Sequence, residues 1–466
     1  MSDQVVLHST LTKRNEPLSP GPDGTVRIYF CGPTVYSRIH IGNARPYVVF
    51  MVLKRFLERR GLRVVLASNL TDVNDKIYSA AVDAGVPSSE LAERMSDAYI
   101  ADTDRLGLGR PDLEPRVTTS IEPIIALIRR LIDGGLAYAA AGDVYFRVRA
   151  FPDYGKLSGR RIEELEPQEA GEGKEDPLDF ALWKGLKEGE DTSWDSPWGP
   201  GRPGWHIECS AMAETALGQP IQVHGGGIDL AFPHHENEIA QSEGCADVPF
   251  ADIWMHNEML ELSGDKMSKS EGNIALLGDV LDNWPREVVI AYFLTSHYRS
   301  RLPFGDERLG QAQAAVERLK NALRALDRAT EGAGEGYDAE LAGAVVQGRQ
   351  RFFDALDDDF NTPEAFAALF EMITAVNRRL ETGEAGADQI REARRELVEL
   401  LDVFGIASVD SDGAPAVPSE VMDLLMQRED ARAARDFERA DALRDAIAEH
   451  GFDLMDTAEG PQVYPR

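Results

Sequence analysis

The sequence predicts an α/β protein, a Rossmann-like parallel sheet split by a connective insertion and followed by a C-terminal helical bundle and a small C-terminal unit. Three observations carry this reading. A β-rich stretch, an amphipathic helix and a second β-rich stretch fall within about 40 residues near the N-terminus, the pattern of a βαβ unit. Two further short strand patterns return only after about 130 residues of different character. From residue 285 onward apolar residues recur at helical spacing with few breaks.

Val26 to Phe30 alternates and is β-rich. Ala44 to Arg60 places Val48, Met51, Val52, Phe56 and Leu57 on one helical face, and Gly61 closes it. Leu62 to Leu66 is the next strand. Such a sheet offers ligand sites at the C-terminal ends of its strands. The intervening stretch predicts helices over 88–105 and 119–133 and a hairpin over 136–149, and the Gly/Pro/Trp-rich run from Trp194 to Trp205 leads back into the sheet. Ile221 to His224 is then a strand running into Gly225, Gly226 and Gly227; Pro233 to Ser242 reads as helix and Ala251 to His256 as strand. Helices follow over 285–297, 307–329, 338–357, 363–381 and 388–404. Ala407 to Pro418 reads as a linker, and Glu420 to His450 as a charged helical unit with an extended tail after it. The expected domains are 1–76 and 205–284 for the two halves of the sheet, 77–204 for the insertion, 285–406 for the helical region and 407–466 for the last unit.

Hydrophobic residues make up 43% of the chain and charged ones 28%, as in soluble globular proteins. No apolar run reaches the length of a membrane span, and the N-terminal residues lack the order of a secretory signal. The cytoplasm is therefore the expected compartment. Cys31, Cys209 and Cys245 are far apart and odd in number, which argues against a disulfide framework. A formal net charge of −31 argues against broad nucleic-acid affinity. It leaves room for a local basic track, for which Arg378, Arg379, Arg391, Arg394, Arg395 and the arginines from Arg428 to Arg444 are candidates. Equally, these arginines fit ion pairs on solvated helix faces.

Two segments point to ATP. His40, Ile41, Gly42 and Asn43 lie where the first strand gives way to a helix, whose N-terminus offers free N–H groups to phosphate. Gly42 permits close approach, and His40 and Asn43 project from one turn towards an α-phosphate. Taken alone, this tetrapeptide also fits an ordinary capped helix start. The second segment, Lys266 to Ser270, carries two lysines, Lys266 and Lys269, on a loop; such ammonium groups neutralise a departing pyrophosphate.

A third set has metal-binding chemistry. His234 and Glu238 are one helical turn apart, so they share a face. Cys31 ends the first strand and Cys209 sits where the insertion re-enters the sheet. Two thiolates, an imidazole and a carboxylate make a zinc set. Each cysteine also fits a small buried hydrophobe, and His234 fits a helix cap. Cys245, without a partner at metal spacing, is read as a packing residue.

The two ATP segments resemble the paired signatures of class I aminoacyl-tRNA synthetases, with Asn43 where the first signature usually has its second histidine. FCGPTVYSRIHIGNAR, NLTDVNDK, GRPGWHIECSAM, HGGGIDLAFPHHENEIAQSE and KMSKSEGN resemble blocks of cysteinyl-tRNA synthetases. LDDDFNTPEA and RDFERADALRDAI extend the resemblance over nearly the whole chain. It implies zinc bound by Cys31, Cys209, His234 and Glu238, with Gly226 and Asp229 beside the ATP ribose or amino group and Thr71 and Trp205 lining the amino-acid pocket. It further implies a monomer that uses Mg²⁺ with ATP, activates L-cysteine and charges tRNA(Cys), the helical region touching the tRNA stem and residues 407–466 the anticodon. Departures are Asn74 where Asp is usual and a tail ending VYPR. The nearest rival is the related ligase that joins cysteine to an amino-sugar inositol in mycothiol synthesis; a noncatalytic zinc and nucleotide sensor is the other.

Overall fold

The computed structural model describes residues 4–167, 171, 173–246, 248–262, 275–407, 409, 419–433, 436–450, 452–457 and 460–465. Its chain divides into two compact units, 1–406 and 407–466.

In the first unit, β1 (Val6–Ser9) and β2 (Arg14–Pro17) form an antiparallel pair ahead of β3 (Thr25–Phe30), α1 (Ile41–Arg59) and β4 (Arg63–Ser68). The insertion holds α2 (Asp75–Ala84), α3 (Ser88–Asp104), α4 (Ile121–Asp133) and an antiparallel sheet of β5 (Ala137–Ala140), β6 (Asp143–Phe146), β7 (Phe180–Gly185) and β8 (Gly201–Pro203). The chain then returns through α5 (Trp205–Leu217), β9 (Ile221–Gly227), α6 (Glu236–Glu243) and β10 (Ala251–Asn257). The main sheet has the order β10-β9-β3-β4, parallel throughout. Adjacent β3 and β9 come from the two halves of the sequence, so their C-terminal ends open the crevice where such sheets take ligands.

The helix α1 is buried along most of its length because Val48, Val49, Phe50, Val52 and Leu53 pack under the sheet. Gly225 is required at its place: a Cβ there would stand 2.0 Å from the Met255 carbonyl oxygen and 2.6 Å from Phe50. Short β11 (Leu260–Leu262) runs parallel to β12 (Leu302–Phe304). Between them lie α7 (Leu277–Asn283) and α8 (Arg286–Leu294), and after them the long helices α9 (Asp306–Gly332), α10 (Ala339–Asp357), α11 (Thr362–Leu380) and α12 (Ala387–Val403). Leu309, Val316, Leu319, Leu323 and Leu326 are all buried, as the apolar face of α9 predicts.

The helix expected over Pro233 to Ser242 is present as a π turn that passes into α6, and a break in the backbone lies just ahead of it at Phe232. The chain makes a π turn over Ala231–His235, in which Phe232 is extended (φ −142°, ψ 131°), and α6 begins at Glu236. The residue before a proline is driven out of the helical region by the ring, which accounts for the break. The second unit pairs helices Ser419–Ala433 and Phe437–Glu449 with an antiparallel hairpin of Phe452–Thr457 and Gly460–Pro465. Among the described residues no helix is long and apolar enough to cross a membrane.

Candidate active site and metal centre

The predicted metal set converges in the crevice. Cys31 leaves β3 with its N–H on the Gly225 carbonyl (3.0 Å), Cys209 lies on α5, and His234 and Glu238 span the π turn and α6. Their ligand atoms lie within 4.8 Å of one another, and all four residues are buried. Cys31 Sγ is 3.3 Å from Glu238 Oε1 and 3.6 Å from His234 Nε2, which is itself 3.0 Å from Glu238.

Two sulfurs, a carboxylate and an imidazole so crowded and dry need positive charge, from a cation or from protons. Without a cation the protons stay. Burial and the neighbouring Cys209 push the Cys31 thiol up. The hydrogen bond from Cys31, helped by His234, holds Cys209 down at about 6. Burial would lower His234, but Glu238 and the Cys209 thiolate outweigh it and push its pKa up to about 10. Burial likewise opposes the ionised Glu238, yet His224 and His234 keep it well below the usual carboxylate range. This donor chemistry and spacing fit a zinc ion.

Sequence reasoning missed the groups around this set. Five of the chain's nine histidines gather here: His206 and His234 approach at 3.0 Å, His235 and His256 at 2.8 Å, and His224 Nε2 is 3.1 Å from Glu238. His256 continues to Thr10 Oγ1 at 2.8 Å. Cys31, His224, His235 and Glu238 also meet the spacing for a metal, overlapping the first set. Asn69 bridges the two halves of the site, accepting from the Gly32 N–H (2.9 Å), lying 3.6 Å from Cys209 Sγ and donating to Thr71 (3.1 Å). Its presence in the NLTDVNDK block was the available signal.

Thr71 is buried and donates to Glu208 at 3.2 Å, beside the metal set. The Trp205 ring lies 4.4 Å from that of His234, tilted by 31°, and stays 36% exposed. His40 is the N-cap of α1 without a side-chain cap bond; the Asn43 N–H reaches its carbonyl at 2.9 Å, and Asn43 is exposed. Gly42 packs under the His40 ring, which a Cβ would meet at 2.9 Å. Gly226 is buried beside His235 and Asp229 is exposed at the end of β9. Lys266 and Lys269 lie outside the described residues. Of the candidate basic track, Arg379 is engaged by Asp338, Glu340 and Glu384, Arg391 by Asp388, and Arg394 by Asp327. Arg428 is buried.

Three family models match the chain: the tRNA synthetases class I (C) catalytic domain over residues 17–314, the DALR domain over 351–408 and the cysteinyl-tRNA ligase anticodon binding domain over 414–463. Among solved structures, methionyl-tRNA synthetase of Mycobacterium tuberculosis with methionyl-adenylate shares the fold at TM-score 0.60 and 17% identity, covering 86% of this chain and 94% of that one. A LeuRS of Agrobacterium radiobacter in a ternary complex does so at 0.63 and 13%, covering 85% of each. The fold and catalytic domain are those of the class I aminoacyl-tRNA synthetases. Curated relatives narrow this to one member of the class. The cysteine–tRNA ligase of Halorhodospira halophila is 47% identical over 467 residues, 97% of this chain and 98% of the relative. That of Caldicellulosiruptor saccharolyticus is 44% identical over 462 residues, 98% of this chain and 99% of the relative. The chain belongs to the cysteine–tRNA ligase family.

Proposed function

We propose that this protein activates L-cysteine with ATP to cysteinyl-adenylate and transfers the cysteine to tRNA(Cys), selecting the amino acid by its thiolate at a bound zinc ion. The observation that carries the reading is the buried group of Cys31, Cys209, His234 and Glu238 at the crevice between β3 and β9. Bound there, zinc supplies a soft Lewis acid that accepts a thiolate far better than the hydroxyl of serine. Removing a specific polar contact costs a competitor much more than the ~1–3 kcal/mol that one methylene gives in an apolar pocket.

Thr71 and Trp205 line the amino-acid pocket. His40 and Asn43, with the free N–H groups at the start of α1, hold the α-phosphate while the cysteine carboxylate attacks it in line, and Gly42 lets ATP approach. Gly226 and Asp229 hold the ribose or amino group. Lys266 and Lys269 take the charge that builds on pyrophosphate, with Mg²⁺. The terminal ribose hydroxyl of the tRNA then takes the cysteinyl group from the adenylate, and AMP leaves. Residues 1–76 and 205–284 carry the chemistry, 77–204 the insertion, 285–406 the stem contact and 407–466 the anticodon, in a cytoplasmic monomer. The match of residues 414–463 to an anticodon-binding domain favours tRNA over an amino-sugar acceptor.

ATP–pyrophosphate exchange with cysteine, followed by charging of tRNA(Cys) against the amino-sugar acceptor, tests this directly. Exchange with serine should be near background. Lys269→Ala should slow exchange far more than it weakens cysteine binding; unchanged exchange refutes the role given to that lysine.

A further inference from the structure

Arg45 is 1% exposed, four residues into α1 beyond Ile41, and among the described residues it makes no ion pair in return for its burial. Its guanidinium donates instead to three backbone carbonyls, Glu258 O at 2.6 Å, His297 O at 2.9 Å and Ser300 O at 2.8 Å. Burial lowers its pKa to about 10, so it stays charged near neutrality. A buried charge held by carbonyls is a costly way to stabilise a helix. What it secures is a specific geometry.

Glu258 and its neighbours lead into β11, the strand ending at Leu262, next to the second ATP segment. The 297–300 loop braces the same strand: the Glu258 N–H donates to Tyr298 O (2.8 Å) and the Leu302 N–H to Met259 O (3.2 Å). On the far side, residues 275–277 are laced to the first ATP segment. The Ile41 N–H meets Ala275 O (2.9 Å), the Leu277 N–H meets Ile39 O (3.0 Å), and His40 and Leu276 form an antiparallel bridge. Both borders of the lysine segment are therefore tied to the start of α1, one through Arg45 and one through backbone.

The brace has an outer anchor in the helical region. Asp359, buried and in a left-handed conformation (φ 58°), accepts from Tyr298 Oη at 2.5 Å, Arg299 Nε at 2.8 Å and the His8 N–H at 2.8 Å. Asp tolerates such a backbone, but Phe360 beside it is left-handed too (φ 48°), and a bulky residue holds that conformation only when its surroundings determine it.

We propose that Arg45 is a positioning residue for adenylate formation, setting the strand that leads into the lysine segment against the helix that begins at His40, with Asp359 holding the loop it grips. A lysine at 45 keeps the charge but loses the planar fork that reaches three carbonyls. The inference rests on the activity proposed above: exchange by the unaltered protein tests that activity, and the variant-to-parent ratio tests this role.

In pyrophosphate exchange, Arg45→Lys should lower kcat roughly 10- to 100-fold, the scale of an ångström-level misplacement. Its zinc content and cysteine KM should stay those of the parent, because the metal set comes from β3, α5 and the turn into α6, and the carbonyls that Arg45 holds come from other segments. Asp359→Asn should give a smaller loss in the same direction. A folded Arg45→Lys protein with parental kcat overturns the proposal, as does a loss shared equally by kcat, cysteine KM and zinc content, which marks general damage. Should Arg45→Lys not fold, Asp359→Asn decides, and an unchanged kcat there overturns it.

Discussion

Zinc binding to the metal-free protein should release about two protons per ion near pH 7, since ligands must be deprotonated to bind. The count follows from each donor. Glu238 is held ionised by His224 and His234, and Cys209 at about 6 is mainly thiolate, so neither adds much. Cys31 keeps its proton because burial and the adjacent Cys209 disfavour a second thiolate. His234 keeps its own up to about 10 because Glu238 and Cys209 outweigh burial. Raising the pH thus removes the competitor of the metal, and affinity should climb about 100-fold per pH unit between Cys209 and His234 titration, a log K slope of about two. Titration calorimetry in buffers of different ionisation enthalpy measures the release, and chelator competition across pH 6.5 to 9 measures the slope. Glu238→Gln should weaken zinc and, by letting His234 lose its proton, bring the release nearer to one at pH 8. A release close to zero, or to four, in the parent protein would refute the assigned protonation states and with them this account of how the empty site balances its charge.

Two neighbouring glycines should part in their effects. Gly225→Ala drives a Cβ into the Met255 carbonyl and should sharply lower the melting temperature, whereas Gly226→Ala meets the end of the Leu230 side chain at 3.0 Å and the His235 ring at an ordinary 3.5 Å, and should keep the fold while raising the KM for ATP; equal melting temperatures would contradict the steric argument. Arg202, 2% exposed against Glu190 at 3.0 Å, also pairs with Asp75, which is 60% exposed. Arg202→Met should cost about 2–3 kcal/mol, less than a fully buried pair because Asp75 faces water; denaturant unfolding reads this, and a change under about 0.5 kcal/mol would refute it. Burial pushes His206 and His235 far below the usual range and His256 to about 3. The unfolded chain therefore takes up protons near pH 6.5 that these residues refuse when folded, and the stability they provide above that pH is lost as pH falls. His234 and Glu208, both raised, work the other way, while Cys209, held down to about 6, works with the three lowered histidines, so a net loss on acidification remains. Melting of the zinc-free protein should fall between pH 7.5 and 5.5, and a flat or rising curve would refute this.

The parts legible in the sequence were those fixed by local pattern. The strand ending at Phe30 alternates, α1 repeats with helical period, and His234 and Glu238 sit one turn apart, so each announces itself within a few residues. Long helices such as α9 and α10 appear within one to three residues of expectation. Helix α5 was not legible: Gly204 precedes it without a side-chain cap, and Cys209 was assigned to a re-entrant stretch, not a helix. Strands β7 and β8 lie in glycine- and proline-rich sequence and exist through pairing with β6 and with each other. Arg45 closes the FCGPTVYSRIHIGNAR block but carries no periodic signal of its burial. On an amphipathic helix a charged residue reads as solvent-facing, and only the distant carbonyls of Glu258, His297 and Ser300 make it a buried one.

The same distinction bears on what the insertion does. Its residues Ile124, Leu127, Phe146, Phe180 and Trp183 belong to one continuous core with Tyr29, Cys31, Cys209, Met212 and Trp254 of the two sheet halves. The helix bearing Cys209 is thus held between the main sheet and α4, where Arg130 also pairs with Glu214 at 2.6 Å. A thiolate ligand must be placed to a few tenths of an ångström for a metal to bind, and α5 is bounded on both sides by packed apolar residues. Loosening α4 should therefore lower zinc affinity before it lowers ATP binding, because the His40 segment is fixed separately through α1. An Ile124→Ala variant, deleting a fully buried contact, distinguishes the two: chelator competition should show weaker zinc with the KM for ATP near that of the parent. Equal losses would mean that the insertion supports the whole sheet and not the metal centre in particular.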